Sequence, residues 1–205
     1  MKFDTVLYEK KGPICSIVLN RPQKLNAAND QLVEDVNDAL FEFDADPGLH
    51  IAILSGAGRA FCSGADVQQR QLRTREEMQR LGGPAGRRSR ENGLGDTVNW
   101  KPVIGAVHGY ALGLGYSLSM SCDLVVAAEG TKLGEPEIRY GSAPVTLLMP
   151  FLIGQKKTRE LLLTGDLIDA VEAERIGLIN RVVPAERLAA EETPLPIGWR
   201  ARHPR

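Results

Sequence analysis

The sequence contains few aromatic residues and no excess of charge of either sign. Aromatic residues make up 5% of its 205 residues, and 25 lysines and arginines balance 26 aspartates and glutamates, for a net charge of −1. Proteins that bind nucleic acids or anionic membranes use a basic surface, so we expect neither partner. With 43% hydrophobic residues, the chain is also too apolar and too evenly charged to be disordered.

Long apolar runs and paired cysteines are absent as well. No apolar run approaches the roughly 18 residues of a membrane-spanning helix. Residues 1–4 (MKFD) lack the charged and then apolar pattern of a secretory signal. The cysteines are Cys15, Cys62 and Cys122, with no CxxC pair, which is typical of reduced thiols. We therefore expect a cytoplasmic α/β protein, most simply an enzyme.

Short β-branched runs alternate with segments of helical periodicity. The predicted strands are residues 14–19, 51–54, 103–107, 123–128 and 178–183. The predicted helices begin near residues 30, 116, 145, 156, 169 and 185, and the first follows an Asn/Asp N-cap. This alternation predicts a layered α/β fold.

Two glycine-containing turns are the most informative local features. Residues 61–66 (FCSGAD) follow a predicted strand and turn, and residues 113–115 (GLG) open a predicted helix. A helix N-terminus exposes unpaired N–H groups, and glycine lets a ligand oxygen approach them. Two such groups that converge on one oxygen would form an oxyanion hole. Ordinary, tightly packed turns would give the same pattern, so the residues leave both interpretations open.

Glu135 and Glu137 are the candidates for acid–base chemistry. They flank Pro136, which predicts an extended or turn-like segment rather than a regular helix. Such a carboxylate could be a general acid or base, although the residues alone favour the simpler interpretation of two solvent-exposed loop glutamates. His108 and Cys62 lack the partners of a nucleophilic site, and no cluster has the spacing of metal ligands.

Taken in order, several segments resemble the enoyl-CoA hydratase/isomerase (crotonase) superfamily. They are residues 19–27 (LNRPQKLNA), 60–66 (AFCSGAD), 101–113 (KPVIGAVHGYALG), 122–124 (CDL), 134–137 (GEPE) and 163–166 (LTGD). The resemblance covers about residues 10–184. It implies a crotonase-like spiral of ββα units, assembled as a homotrimer or a dimer of trimers. It also implies an acyl-CoA thioester substrate, with no further cofactor.

The resemblance also implies roles for individual residues. The backbone N–H groups of Ala65 and Leu114 would hold the thioester oxygen, and Glu137 would move a proton. The residues that match CoA-binding segments are Lys24, Leu25, Ala27, Asp66, Val67 and Gly113.

Ser117 stands where hydratases of this family carry the first of two catalytic glutamates. Hydration needs a water held between two carboxylates, and serine is a poor base without an activating partner. No histidine or lysine adjoins Ser117 in the sequence. Double-bond isomerisation through Glu137 alone is therefore the favoured reaction, with Ser117 as a secondary catalytic candidate. The alternative is a catalytically silent CoA-binding or scaffold protein.

Three further segments depart from an ordinary family pattern. Residues 68–91 carry seven arginines against three glutamates and are predicted to form a solvated helix and loop. Residues 142–150 replace a glycine-rich family stretch, which predicts a reshaped, apolar acyl pocket. Residues 1–184 are expected to form the core domain. Residues 185–205 form an atypical short tail, interpreted as truncated or frame-shifted, with a natural short variant as the alternative.

Overall fold

The protein is represented by a computed structural model that describes residues 3–71, 74, 76, 99–141 and 148–190. Its strands are β1 (Val6–Lys11), β2 (Ile14–Leu19), β3 (Ile51–Gly56), β4 (Val103–Val107), β5 (Tyr110–Leu112), β6 (Leu124–Ala128), β7 (Lys132–Gly134), β8 (Ile168–Asp169) and β9 (Arg181–Val183). Its α-helices are α1 (Asp30–Ala45), α2 (Val67–Gln71), α3 (Leu114–Met120), α4 (Met149–Thr164), α5 (Ala170–Arg175) and α6 (Ala185–Ala190). Two 3₁₀ helices cover Pro22–Lys24 and Pro136–Tyr140.

In the described part of the chain, the strands form two sheets. The larger sheet has the order β1-β2-β3-β4-β6-β9, in which β1 is antiparallel to β2 and the other neighbours are parallel. In the smaller sheet, β7 pairs parallel with β5 and antiparallel with β8. All of β4 is buried, as expected for a parallel strand covered on both faces. The predicted layered α/β fold is confirmed.

Helix α1 packs one apolar face into the core. Its N-cap is Asn29, whose side chain accepts a hydrogen bond from the N–H of Leu32 at 2.9 Å. The buried apolar residues of α1 are Leu32, Val36, Ala39, Leu40 and Phe43. Each large side chain contributes about 1.5–3 kcal/mol by leaving water. The periodicity predicted this helix and its cap correctly.

The two helices predicted after residue 145 correspond to the two parts of α4. This helix runs from Met149 to Thr164 and is interrupted at Gly154, whose φ of +73° and ψ of 162° are not helical. Helix α3 begins at Leu114, two residues earlier than predicted. Most of the arginine-rich segment, the start of the reshaped 142–150 stretch and the tail beyond residue 190 lie outside the described residues.

The three cysteines are free thiols, two of them buried in different layers. Cys15 lies in β2, and Cys62 lies in the turn beside β5. Burial raises the pKa of each of these two thiols to about 11. A thiol with so high a pKa is unreactive at neutral pH.

Among the described residues, no helix is both long enough and apolar enough to cross a bilayer.

Candidate active site

The two glycine turns lie side by side. The N–H of Cys62 donates to the carbonyl of Tyr110 at 2.9 Å, and the N–H of Leu112 donates to the carbonyl of Cys62 at 3.0 Å. These bonds pair Cys62 with Ala111 in a parallel bridge. Beyond this bridge the two turns continue in the same direction, one towards Ala65 and the other into α3.

The N–H groups of Ala65 and Leu114, which are expected to form an oxyanion hole, lie in these two neighbouring turns. Ala65 bridges Ala28, but the hydrogen bonds of that bridge use the carbonyl of Gly64 and the N–H of Asp66. The N–H of Ala65 therefore points away from Ala28, since successive groups of an extended chain alternate. Leu114 is the first residue of α3, where an N–H has no intrahelical acceptor. Within the described ranges, neither N–H donates to a backbone carbonyl.

The segment expected to bind CoA pairs with the first turn. The N–H of Ser63 donates to the carbonyl of Leu25 at 3.0 Å, and the N–H of Ala28 donates to the carbonyl of Gly64 at 2.7 Å. The structure thereby brings together the predicted CoA-binding residues Lys24, Leu25, Ala27, Asp66 and Val67.

Side chains join the same two segments. The guanidinium of Arg21 forms an ion pair with Asp66 and donates to the carbonyl of Ala27. Burial raises the pKa of Asp66, but the hydrogen bonds from Arg21 and from the backbone of Gln69 and Gln68, together with the charge of Arg21, outweigh it and leave that pKa below its ordinary value. The Nζ of Lys24, on an exposed side chain, donates to Oε1 of Gln68 at 2.7 Å. The sequence analysis did not single out Arg21, which carried no signal beyond its place in the family-like segment.

Asn26 is a structural residue of this site that the sequence analysis also missed. It is fully buried and has a φ of +55°, a left-handed conformation that asparagine tolerates better than most residues. Its Oδ1 accepts from the N–H of Arg21 at 2.8 Å, and its Nδ2 donates to the carbonyls of Ala57 and Ala60 at 2.9 and 2.8 Å. One side chain thus holds the segment that is expected to bind CoA against the residues that follow β3.

The Glu137 carboxylate lies against the N-terminus of α3. Glu137 belongs to the 3₁₀ helix Pro136–Tyr140, and Glu135 precedes it with a φ of −120° and a ψ of 85°. The segment is therefore not a regular α-helix, as Pro136 predicted. A Cβ added to Gly113 would overlap Oε1 of Glu137 and lie 3.2 Å from its Cδ. The Glu137 carboxylate therefore occupies the space that a side chain at position 113 would take, beside the first residue of α3.

Glu135 contacts Ser117. The hydroxyl of Ser117 donates to Oε1 of Glu135 at 3.0 Å, although 18 positions separate the two residues. Glu135 is only 2% exposed, so the interpretation as a solvent-exposed loop glutamate is wrong for this residue. The expectation that Ser117 has no partner considered only its neighbours in the sequence. The structure provides a carboxylate from another strand end.

Both carboxylates approach the same face of α3. The N–H of Ser117 donates to the carbonyl of Gly113 at 2.9 Å, which stacks these two residues one helical turn apart. Residues at this spacing lie about 5–6 Å from each other on a helix face. Because Glu137 contacts Gly113 and Glu135 contacts Ser117, two carboxylates line one side of the turn.

Other chemistry-bearing residues have structural partners. The Nε2 of His108 lies 2.9 Å from the carbonyl of Gly58. The thiol of Cys62 contacts the carbonyl of Gly64 at 3.8 Å. Among the residues described, no group of three or more His, Cys, Asp or Glu side chains could hold a metal ion.

Comparison with known proteins places this geometry in a family. Residues 9–198 match the family model for enoyl-CoA hydratase/isomerase. A probable mitochondrial enoyl-CoA hydratase of Dictyostelium discoideum is 39% identical over 202 residues, covering 94% of this chain and 68% of that protein. A probable enoyl-CoA hydratase of Rhizobium meliloti is 40% identical over 196 residues, covering 93% and 73%.

Solved structures give the same result. The chain superposes on an enoyl-CoA hydratase from Bacillus anthracis with a TM-score of 0.79 and 32% identity, covering 91% of this chain and 72% of that one. The crotonase-like fold predicted from the resemblance is thereby confirmed. This chain belongs to the enoyl-CoA hydratase/isomerase family.

Proposed function

We propose that this chain is an acyl-CoA enzyme that adds water to, or shifts, a carbon–carbon double bond near a thioester. The observation that carries the proposal is the Glu137 carboxylate held against Gly113, next to the N–H of Leu114. An acid–base group and a backbone donor at one helix N-terminus suit chemistry that passes through an enolate. Membership of the family supports the same reaction class.

In this proposal the backbone stabilises the charge that develops on the substrate. The N–H groups of Ala65 and Leu114 donate to the thioester oxygen as it becomes an enolate oxygen. One donor of this kind is worth roughly 3–4 kcal/mol of barrier height. Because both donors belong to the main chain, leucine at position 114 serves as well as the glycine usual in hydratases.

Glu137 transfers the proton at the carbon next to the thioester. In isomerisation of a 3-enoyl-CoA, it removes a proton from C2 and returns it at C4. In hydration of a 2-enoyl-CoA, it donates a proton to C2 while a water oxygen bonds to C3. Lys24, Leu25 and Ala27, with the turn Asp66–Val67, hold the nucleotide and pantetheine of CoA.

The test compares turnover by the purified wild type and by Glu137→Gln on a 2-enoyl-CoA and a 3-enoyl-CoA. Glu137→Gln keeps the shape but removes the acid–base group, so turnover should fall about 10²–10⁴-fold. Affinity for acyl-CoA should change little. Glu129→Gln is the matched control, since Glu129 is exposed in the turn between β6 and β7, whereas Glu135 and Glu137 follow the other end of β7. A wild type that binds acyl-CoA but converts neither substrate would instead be the silent CoA-binding protein, an alternative that the relatives' names do not support.

The oligomeric state and the cellular location of the enzyme are part of the same proposal. A homotrimer or dimer of trimers would cover exposed apolar side chains on α4, such as Phe151 and Leu163. Light scattering on the purified protein would measure the number of subunits. A reaction without a cofactor and a cytoplasmic location also remain predictions.

A further inference from the structure

We infer that Glu135 is the second carboxylate of this site and that it positions and activates the attacking water through the Ser117 hydroxyl. This inference rests on the proposed function and selects hydration as the reaction that the site is built for. It places the second negative charge at the end of β7 instead of on α3. It also reverses the preference for isomerisation that Ser117 alone suggested.

The first support is the contact itself. The Ser117 hydroxyl donates its proton to Oε1 of Glu135, and a hydroxyl oxygen that donates in this way is also a hydrogen-bond acceptor. Hydrogen bonds to an ionised carboxylate are roughly twice as strong as neutral ones. Ser117 is only half-buried, whereas Glu135 is buried. The hydroxyl therefore connects the buried charge to the more accessible side of the helix.

The second support is the energetic cost of the arrangement. Placing a carboxylate in a buried position costs several kcal/mol unless hydrogen bonds compensate. The phenol of Tyr116, the neighbour of Ser117, is also buried, and no described residue accepts or donates a hydrogen bond at its oxygen. Burial and the negative charge of Glu135 both raise the pKa of Tyr116. A fold that only needed to tie β7 to α3 would do so more cheaply with a neutral side chain.

The third support is the register of the smaller sheet. Strands β5 and β7 pair with Leu112 opposite Gly134. The residue after Gly134 is Glu135, and the N–H of Gly113 donates to the carbonyl of Gly134 at 3.0 Å. Glu135 therefore leaves the sheet where α3 begins. Pro136 then turns the chain, so Glu137 returns to the same helix face one turn away.

The reaction balances with these groups. The water donates a hydrogen bond to the oxygen of Ser117, whose own proton faces Glu135. As the water oxygen bonds to C3, the water proton moves to the Ser117 oxygen and the serine proton moves to Glu135. The π electrons of the C2–C3 bond form the enolate, and the proton of Glu137 then bonds to C2. The product has gained one water, and the two glutamates regain their starting protonation by exchange with solvent.

The test removes the carboxylate at position 135 and then restores a carboxylate at position 117, on the other side of the hydrogen bond. Glu135→Gln keeps an oxygen for the Ser117 hydroxyl but removes the charge, and hydration of a 2-enoyl-CoA should fall about 10²-fold in kcat. Its KM, its melting temperature and its isomerisation of a 3-enoyl-CoA should change little. Ser117→Ala should cause the same selective loss. The double variant Glu135→Gln with Ser117→Glu should recover about tenfold or more of the lost hydration, because it restores a carboxylate on the other side of the contact.

Matched controls are Glu129→Gln and Ser121→Ala, which remove an exposed carboxylate and an exposed hydroxyl at the end of α3. Unchanged hydration in Glu135→Gln or in Ser117→Ala overturns the inference. An equal loss of hydration and isomerisation with a lower melting temperature also overturns it, since that result describes a structural tie. A wild type that isomerises a 3-enoyl-CoA but does not hydrate a 2-enoyl-CoA contradicts this inference but not the proposed function. A wild type inactive on both substrates contradicts the proposed function as well.

Discussion

Arg21 and Asp66 form an ion pair at 2.9 Å, and their side chains are only 14% and 10% exposed. The two residues are 45 positions apart. Arg21 precedes the 3₁₀ helix of the proposed CoA-binding segment, and Asp66 precedes α2. The pair therefore fixes the distance between the segment proposed to hold the nucleotide and the turn that carries Ala65.

Replacing Arg21 should weaken both stability and CoA binding. Arg21→Gln leaves the Asp66 carboxylate largely buried without its cation, which should cost about 2 kcal/mol, between the values for surface and fully buried pairs. The dissociation constant for CoA should rise about tenfold, measured by calorimetry. Arg175→Gln breaks the exposed pair with Glu172 and should leave CoA affinity unchanged. Equal effects of the two substitutions would contradict the positioning role of Arg21.

Asp35 should stabilise the folded protein at neutral pH and lose this contribution at acidic pH. Its carboxylate accepts hydrogen bonds from the N–H of Asp4 at 3.0 Å, the N–H and hydroxyl of Thr5 at 2.7 Å each, and the Nε2 of Gln31 at 2.9 Å. Burial raises the pKa of Asp35, but the hydrogen bonds from Thr5 and Gln31 outweigh it and hold the pKa below its ordinary 3.8. The folded state therefore favours the ionised form.

Stability from Asp35 is then present above its unfolded pKa and lost as the pH falls through its lower folded pKa. We expect the free energy of unfolding, measured with urea from pH 7 to pH 3, to decrease less steeply in Asp35→Asn than in the wild type. The variant should also be less stable at pH 7. Asp38→Asn, at an exposed position of the same helix, is the control. A variant with the wild-type pH dependence would show that other carboxylates determine acid stability.

Gly113→Ala should damage catalysis more than folding. The new methyl group would collide with the Glu137 carboxylate, and a displacement of about 1 Å can cost about 10²-fold in turnover. Gly130→Ala is the matched control, because Gly130 also has a positive φ, +79°, and no described atom lies within 4 Å of its missing Cβ. That control should lose about 1–2 kcal/mol of stability through backbone strain and keep its activity. Equal turnover of the two variants would mean that Glu137 tolerates displacement.

Asn26→Ala should be among the most destabilising polar substitutions in the described chain. It removes three hydrogen bonds and leaves their buried partners unsatisfied, at about 1 kcal/mol each. We expect a loss of about 3 kcal/mol in urea unfolding. Asn29→Ala removes the single cap bond of α1 and should cost about 1 kcal/mol. A smaller loss for Asn26 than for Asn29 would contradict the role of Asn26 in holding the CoA-binding segment.

The sequence predicted the long elements well because their periodicity is strong. Strand β2 matches the predicted residues, and α1 begins after the predicted cap. Strand β1 was missed because only Val6 of its six residues is buried, so it lacks the alternation of a half-buried strand. Strands β5 and β7 have three residues each and are too short to leave a pattern.

The residues of the candidate site also differ in how far the sequence could predict them. The resemblance drew attention to the turns of Ala65 and Leu114 and to Glu137, because these lie in contiguous motifs, and the structure places them side by side. Their catalytic roles stay predictions. The contact between Ser117 and Glu135 could not be predicted, since it depends on the register of β5 against β7. From the residues alone, Glu135 was an acid–base candidate beside Glu137, but a solvent-exposed loop glutamate was the alternative. Tertiary pairing, rather than local pattern, determines where its carboxylate lies.

The two buried thiols can also serve as natural probes of local unfolding in the two sheets. Cys15 lies in the larger sheet and Cys62 beside the smaller one, and a thiol reagent can modify each only when its surroundings open. In a protein whose parts open independently, the rate of labelling at each cysteine measures the opening of that layer. Mass spectrometry of partly labelled protein would therefore rank the two layers by stability without any introduced probe.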